Sequence, residues 1–217
     1  MAVVPIRTQF IGILAADPAT GLLTAGMWWF NSTEGAFKFY DGPIIIALGG
    51  TYNYIEAIPV ESLGRPNTNP PTVVDQDNLT LLSFTVDTDK VTLKMPVPSD
   101  IAAGESLDFN VVWTNDGGVD DNGKNVKWQF DYQVGSEGDV ISGNHANSPK
   151  TVEDTYDSAL GWVEHDTAYI SIPNADFLGK ACIFIKISAI TAPATVLTCE
   201  PHMIGICRRY VRQRRFI

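Results

Sequence analysis

Hydrophobic and polar positions alternate most strictly in two stretches near the middle of the chain. In 106–114, Leu107, Phe109, Val111 and Trp113 fall on one side, and Asp108, Asn110 and Thr114 on the other. In 125–133, Val126, Trp128, Phe130 and Tyr132 alternate with Asn125, Lys127, Gln129, Asp131 and Gln133. A period of two over that length marks a strand with one face packed and one wet. The pair predicts an antiparallel sheet, joined by the Asp-, Asn- and Gly-rich hairpin loop 115–124. Shorter alternations follow the same rule at Leu82, Phe84, Val86 and at Val91, Leu93, Met95. Residues 167–172 and 203–210 predict further strands, and 181–189 is apolar enough on both sides to be a central one. No stretch of about eleven residues keeps a helical period without Gly or Pro. About eight strands at this spacing predict an antiparallel two-sheet jelly roll over 78–211.

The N-terminal part reads differently. Between Gly26 and Tyr40, six of fifteen residues are aromatic, interrupted by the turn-forming Asn31-Ser32-Thr33-Glu34-Gly35 and followed by Asp41-Gly42. Three short strands, about 26–30, 36–40 and 43–48, form a β-meander, and 51–60 can add another. Strands this short cannot enclose so many rings by themselves. The aromatic surface therefore needs cover from the rest of the chain or from other copies. Trp28 and Trp29 are consecutive and cannot share a face, so at least one points away from the module's interior. The expected organisation is an N-terminal β module (1–63), a Pro-rich linker (64–77), the jelly roll (78–211) and a basic tail (212–217). The class is all-β throughout.

The run Gly26-Met27-Trp28-Trp29-Phe30-Asn31, with Gly35, Phe37-Lys38-Phe39-Tyr40 and Asp41-Gly42, resembles a short module of tailed-bacteriophage virion proteins. Modules similar to it occur near the N-termini of tail-fibre, head-fibre and capsid-decoration proteins, usually as trimers joining one virion part to another. The similarity covers roughly 12–50. A second resemblance, to phage jelly-roll domains, covers about 78–211 and rests on element order, including Ile172-Pro173-Asn174-Ala175-Asp176-Phe177-Leu178-Gly179-Lys180. Together they imply a structural protein of the virion, made in the host cytoplasm: a homotrimeric decoration (cement) or head-fibre protein bound to the major capsid protein or other virion proteins. A tail-fibre or baseplate protein that binds a host surface glycan is the near variant. A carbohydrate-binding module or glycan depolymerase is the alternative from another class.

Charge refines the partners. The formal net charge is −10, yet five of the fifteen basic residues lie in 208–217, leaving ten basic against twenty-five acidic residues elsewhere, a balance of −15. An acidic body argues against nucleic acid as a partner of the main surface. The end containing Arg209, Arg212, Arg214 and Arg215 reads either as a dock for an acidic neighbouring subunit or as a solvated tail. With 45% hydrophobic and 18% charged residues, a substantial core is expected. No apolar run approaches the ~18 residues of a membrane span, and no targeting segment is expected in Met1–Arg7.

Chemistry is sparse. The histidines are His145, His165 and His202, and no Gly-x-Ser-x-Gly elbow is present. His165-Asp166 would point to opposite faces of a strand. Twenty-five acids make some neighbouring carboxylate pair unavoidable, so a glycosidase is not excluded by sequence. Asp116, Asp120, Asp121 and Asn122 are calcium-like in type, but not in spacing, and hairpin chemistry accounts for them. Cys182, Cys199 and Cys207 lack zinc spacing and read as reduced structural thiols. Trp113 and Trp128 sit in the inward register, whereas Trp162 lies near a loop. No catalytic, cofactor or metal residue is predicted. The candidate site is an interface: Met27, Trp28, Trp29, Phe30, Phe37, Phe39 and Tyr40, with Arg209, Arg212, Arg214 and Arg215.

Overall fold

The computed structural model describes residues 9–34, 36–40, 42, 45–48, 51–140 and 142–213. The chain divides into two compact units: residues 1–54 with 100–102 and 211–217, and residues 55–99 with 103–210. The protein is all-β, with a small N-terminal sheet in the first unit and a jelly-roll sandwich in the second.

The first unit holds β1 (Gln9–Leu14), β2 (Met27–Asn31), β3 (Ala36–Tyr40) and β4 (Ile45–Leu48), in that spatial order. The meander β2–β3–β4 is antiparallel, as the turn residues predict. β1 is not anticipated by the sequence pattern and adds in parallel to β2. Parallel neighbours need a crossover of about a dozen residues, supplied by 15–26. The described part of the end containing the arginines belongs here too: Gln213 N–H donates to the Asp100 carbonyl at 2.7 Å, and Ala102 N–H to the Val211 carbonyl at 2.8 Å.

The second unit is built on β5 (Thr51–Pro59) from Ile55 onward, β6 (Thr72–Gln76), β7 (Leu79–Ser83), β8 (Lys90–Pro96), β9 (Leu107–Thr114) and β10 (Lys124–Gly135). It continues with β11 (Lys150–Tyr156), β12 (His165–Asp166), β13 (Ile170–Ile172), the one-turn helix α1 (Asn174–Phe177), β14 (Cys182–Ile190) and β15 (His202–Gln213) as far as Tyr210. One sheet runs β11-β10-β14-β8. The other places β9 between β15 and the short pair β12 and β13, with β7 and β6 beyond β15, and β5 also pairs with β15. From β7 to β15 successive strands thus swap between sheets in jelly-roll order, except that β10 and β11 pair within one sheet and β12 and β13 share one position. Closure by two sheets leaves few long edges unprotected.

The alternating residues of β9 and β10 supply the core. Leu107, Phe109, Val111, Trp113, Trp128 and Phe130 are all fully buried. Phe109 meets Phe130 at 6.5 Å and Phe84 meets Trp128 edge-on at 5.2 Å. β14 lies between β10 and β8, with Ile183, Ile185, Ile187 and Ala189 inward.

The Pro-rich segment 64–77 is ordered by pairing. Gly64 and Thr92 exchange backbone hydrogen bonds at 2.7 and 2.8 Å, the Arg65 guanidinium donates to the Pro71 carbonyl, and Thr72–Gln76 forms β6. Its prolines fall before the strand, where no ladder donor is lost.

At one end of the sandwich, Asp121 ties the β9–β10 connection to the segment before β15. This side chain is fully buried and accepts the backbone N–H groups of Thr198 at 2.6 Å and Cys199 at 2.9 Å, with Lys124 Nζ at 3.1 Å. Burial pushes its pKa up, but the Cys199 and Thr198 donors and Lys124 outweigh this and hold it below the usual 3.8. Asp121→Ala leaves these donors without their acceptor and is expected to cost about 2–4 kcal/mol, checked by chemical denaturation.

Candidate functional site

The N-terminal sheet has two chemically opposite faces. Pairing sets Trp28 against Phe39 and Phe30 against Phe37, so these four share one face, while Trp29 and Lys38 pair on the other. β1 extends the first face. Phe10 partners Trp28 and Ile13 partners Phe30, and the irregularity between them falls where Gly12 takes φ +122°.

The face carrying Trp29 is closed. Trp29 is fully buried, and Asn31 and Lys38 are buried beside it. Asp17, from the crossover 15–26, organises them. Its carboxylate accepts from Trp29 Nε1 at 3.1 Å, Asn31 Nδ2 at 2.8 Å and Lys38 Nζ at 3.1 Å. Lys38 also meets Glu34 at 2.5 Å. Asn31 Oδ1 accepts the N–H groups of Thr33 and Glu34, which shapes the turn between β2 and β3. Burial raises the Asp17 pKa, but hydrogen bonds from Asn31, Lys38 and Trp29 prevail and hold it below 3.8. For Lys38, burial acts downward and is overcome by Glu34 and Asp17, which raise its pKa above 10.5.

The opposite face is apolar and open. Ile13 is 71% exposed and Phe10 47% exposed, and Trp28, Phe30, Phe37 and Phe39 are all half-buried. The rings form a connected row: Phe10 to Trp28 at 4.5 Å, Trp28 to Phe37 at 5.8 Å, Phe37 to Phe30 at 5.1 Å. Large contiguous apolar surface of this kind is uncommon on a monomeric soluble protein. Met27 and Tyr40, also expected at the interface, are half-buried and fall in the register of Trp29 rather than that of Trp28.

The arginines are engaged within the chain. Arg209 makes a two-pronged contact with Asp108 at 2.8 and 3.2 Å and stacks on Tyr169 at 4.0 Å. Arg212 pairs with Asp100 and lies over Tyr54 at 5.3 Å, and Arg208 pairs with Glu56. Burial raises and the hydrogen bonds of Ser171, Arg209 and Ser106 lower the pKa of Asp108, with a net fall. Such two-pronged guanidinium–carboxylate contacts are among the stronger surface pairs. Arg214 and Arg215 lie outside the described residues.

The remaining candidates are structural. His165 packs against Trp113 and Tyr156, with Asp157 3.6 Å from its Nδ1. His145 stacks on Tyr132, whose hydroxyl donates to Asp176 at 2.5 Å. Among the described residues, no group of three or more His, Cys, Asp or Glu could hold a metal ion. Asp17 is the residue that sequence reasoning missed. A lone Asp in a loop carries no signal, and only the parallel addition of β1 brings it beneath Trp29.

No protein-family model matches the chain, and neither does any curated protein sequence. Among solved structures, the CBM35 of Cellvibrio japonicus Abf62 aligns with a TM-score of 0.41 at 10% identity, over 74% of this chain and 98% of that one. The VP2 subviral particle of infectious bursal disease virus aligns at 0.38 and 6% identity, over 80% of this chain and 36% of that one. The xylan-binding module CBM15 aligns at 0.35 and 10% identity, over 73% and 97%. Similarity at this level assigns no activity or partner.

Asp17→Ala should strand Trp29 Nε1 and leave the Lys38 ammonium with Glu34 alone, destabilising the N-terminal sheet by about 2–3 kcal/mol while leaving the jelly roll folded. Hydrogen exchange resolved by segment checks this. The Asp17 contribution is present above its unfolded pKa of 3.8 and disappears as pH falls through the lower folded value, so the protection of 27–40 relative to the intrinsic exchange rate should fall only below about pH 3.8.

Proposed function

We propose that the chain is a non-catalytic structural subunit of a bacteriophage virion, assembling as a trimer through its N-terminal sheet. Its role in this reading is capsid decoration or a short head fibre, stapling neighbouring capsid subunits. The observation that carries the proposal is the inverted sheet: polar Asn31 and Lys38 are buried, whereas the ring row Phe10–Trp28–Phe37–Phe30 is left on the open face. The resemblance of 12–50 to virion joining modules supports the same reading.

The driving force is burial of those rings against other copies. Each Trp or Phe removed from water contributes on the order of 1.5–3 kcal/mol. A symmetric oligomer repeats every such contribution at each contact. Arg209 and Arg212 are consumed by Asp108 and Asp100, so in this reading they brace the chain's own strands instead of a neighbour.

Phe10→Ser combined with Trp28→Ser removes the first two rings of the row without touching the Asp17 cluster. The variant should fall to the mass of a single chain by light scattering, with the melting of the jelly roll unchanged. A variant that keeps the parent mass contradicts assembly through this face.

A further inference from the structure

The loop 157–163, between β11 and β12, holds one aromatic ring under unusual constraint. Trp162 has φ +65°, a left-handed conformation that a bulky residue keeps only where its surroundings impose it. The imposing contacts are backbone to backbone. Trp162 N–H donates to the Asn115 carbonyl at 2.8 Å. The buried Tyr156 hydroxyl donates to the Leu160 carbonyl at 2.5 Å and lies 3.0 Å from that of Asn115. A Cβ at Gly161 would stand 3.0 Å from the Asp116 carbonyl oxygen, and one at Gly118 only 3.3 Å from that of Ala159. The loop is therefore clamped onto the β9–β10 connection, and the ring is fixed in advance of any ligand.

The indole is the wall of a cavity. On one side the His202 ring, 5% exposed, stacks on it at 5.0 Å with an 18° tilt. Burial holds the His202 pKa below 6.5 despite Asp116 and Glu200, which favours the neutral ring. A cavity of about 440 Å³ is lined by Trp162. That volume is typical of small-molecule sites. The turn between β6 and β7 contributes Gln76, Asp77 and Asn78, and Glu164, Leu79 and Leu81 also line the cavity. Thr114 and Ile204 complete the lining.

A flat apolar ring, two amides and two carboxylates suit a ligand with apolar C–H faces and a rim of hydroxyl donors. No Lys or Arg lines the cavity, and Asp77 and Glu164 would repel an anion, which rules against phosphate, sulfate or uronate. We propose that this cavity binds a neutral sugar residue, stacked on Trp162 with its hydroxyls donating to Glu164, Gln76 and Asn78. The site lies wholly within the jelly-roll unit and stands whether or not the N-terminal sheet mediates assembly.

The test is calorimetric titration of the full chain with maltohexaose, cellohexaose, xylohexaose and chitohexaose. Saturable binding of at least one is expected. It should weaken by about tenfold or more in Trp162→Asn, since Asn tolerates positive φ, and in Glu164→Ala, which alters an exposed position should the first variant fail to fold. No binding of any of the four at about 10 mM overturns the proposal, as that concentration reveals even millimolar affinity. So does sugar binding that both folded variants retain. Saturation by tetramethylammonium alone would identify a cation site instead, and equally overturns it.

Discussion

Consecutive residues on a strand point to opposite sides of the sheet, and this constraint decides the fate of Trp28 and Trp29. With Trp29 and Asn31 turned toward Asp17, the rings of Trp28 and Phe30 have no choice but the other face. The burial of Lys38 follows from the same geometry, because its ammonium needs the Asp17 and Glu34 carboxylates to leave water at all. The closed face is thus locked by charge and hydrogen bonding. The open face collects the apolar area. A sheet of four short strands keeps this division only where its apolar side finds cover.

The jelly roll obeys a different logic. Its core is supplied by strict alternation in β9, β10 and β14, and its loops are held by polar groups that reach backbone donors and acceptors. Asp121 and Asn115 each bridge from the β9–β10 connection to the segment 198–200. Tyr156 does the same for 160–163. Loops fixed this way can carry a strained residue such as Trp162 and present it rigidly.

Much of this was legible in the sequence where a local pattern exists. The β9 and β10 alternation, the turn-bounded β2 and β3, and the inward Trp113 and Trp128 all follow from spacing alone. β1 was not legible, because its partner is parallel and reached by a crossover rather than a turn. β11 was hidden by composition: Lys150-Thr151-Val152-Glu153-Asp154-Thr155 is almost wholly polar, as an edge strand can be. β6 was masked by the prolines before it. The open face could be inferred from the paired tryptophans, but Asp17, the Arg209–Asp108 contact and the left-handed Trp162 depend on residues far apart in sequence. Only Gly, Asn and Asp advertise positive φ, and Trp does not.

The central claim is that copies of this chain cover one another's aromatic sheet face. A cryo-electron-microscopy reconstruction of the assembled species tests it most directly. The account predicts Phe10, Trp28 and Phe37 of neighbouring copies in contact around the symmetry axis, shielded from solvent. An assembly joined through other surfaces, with these rings still facing water, would contradict it.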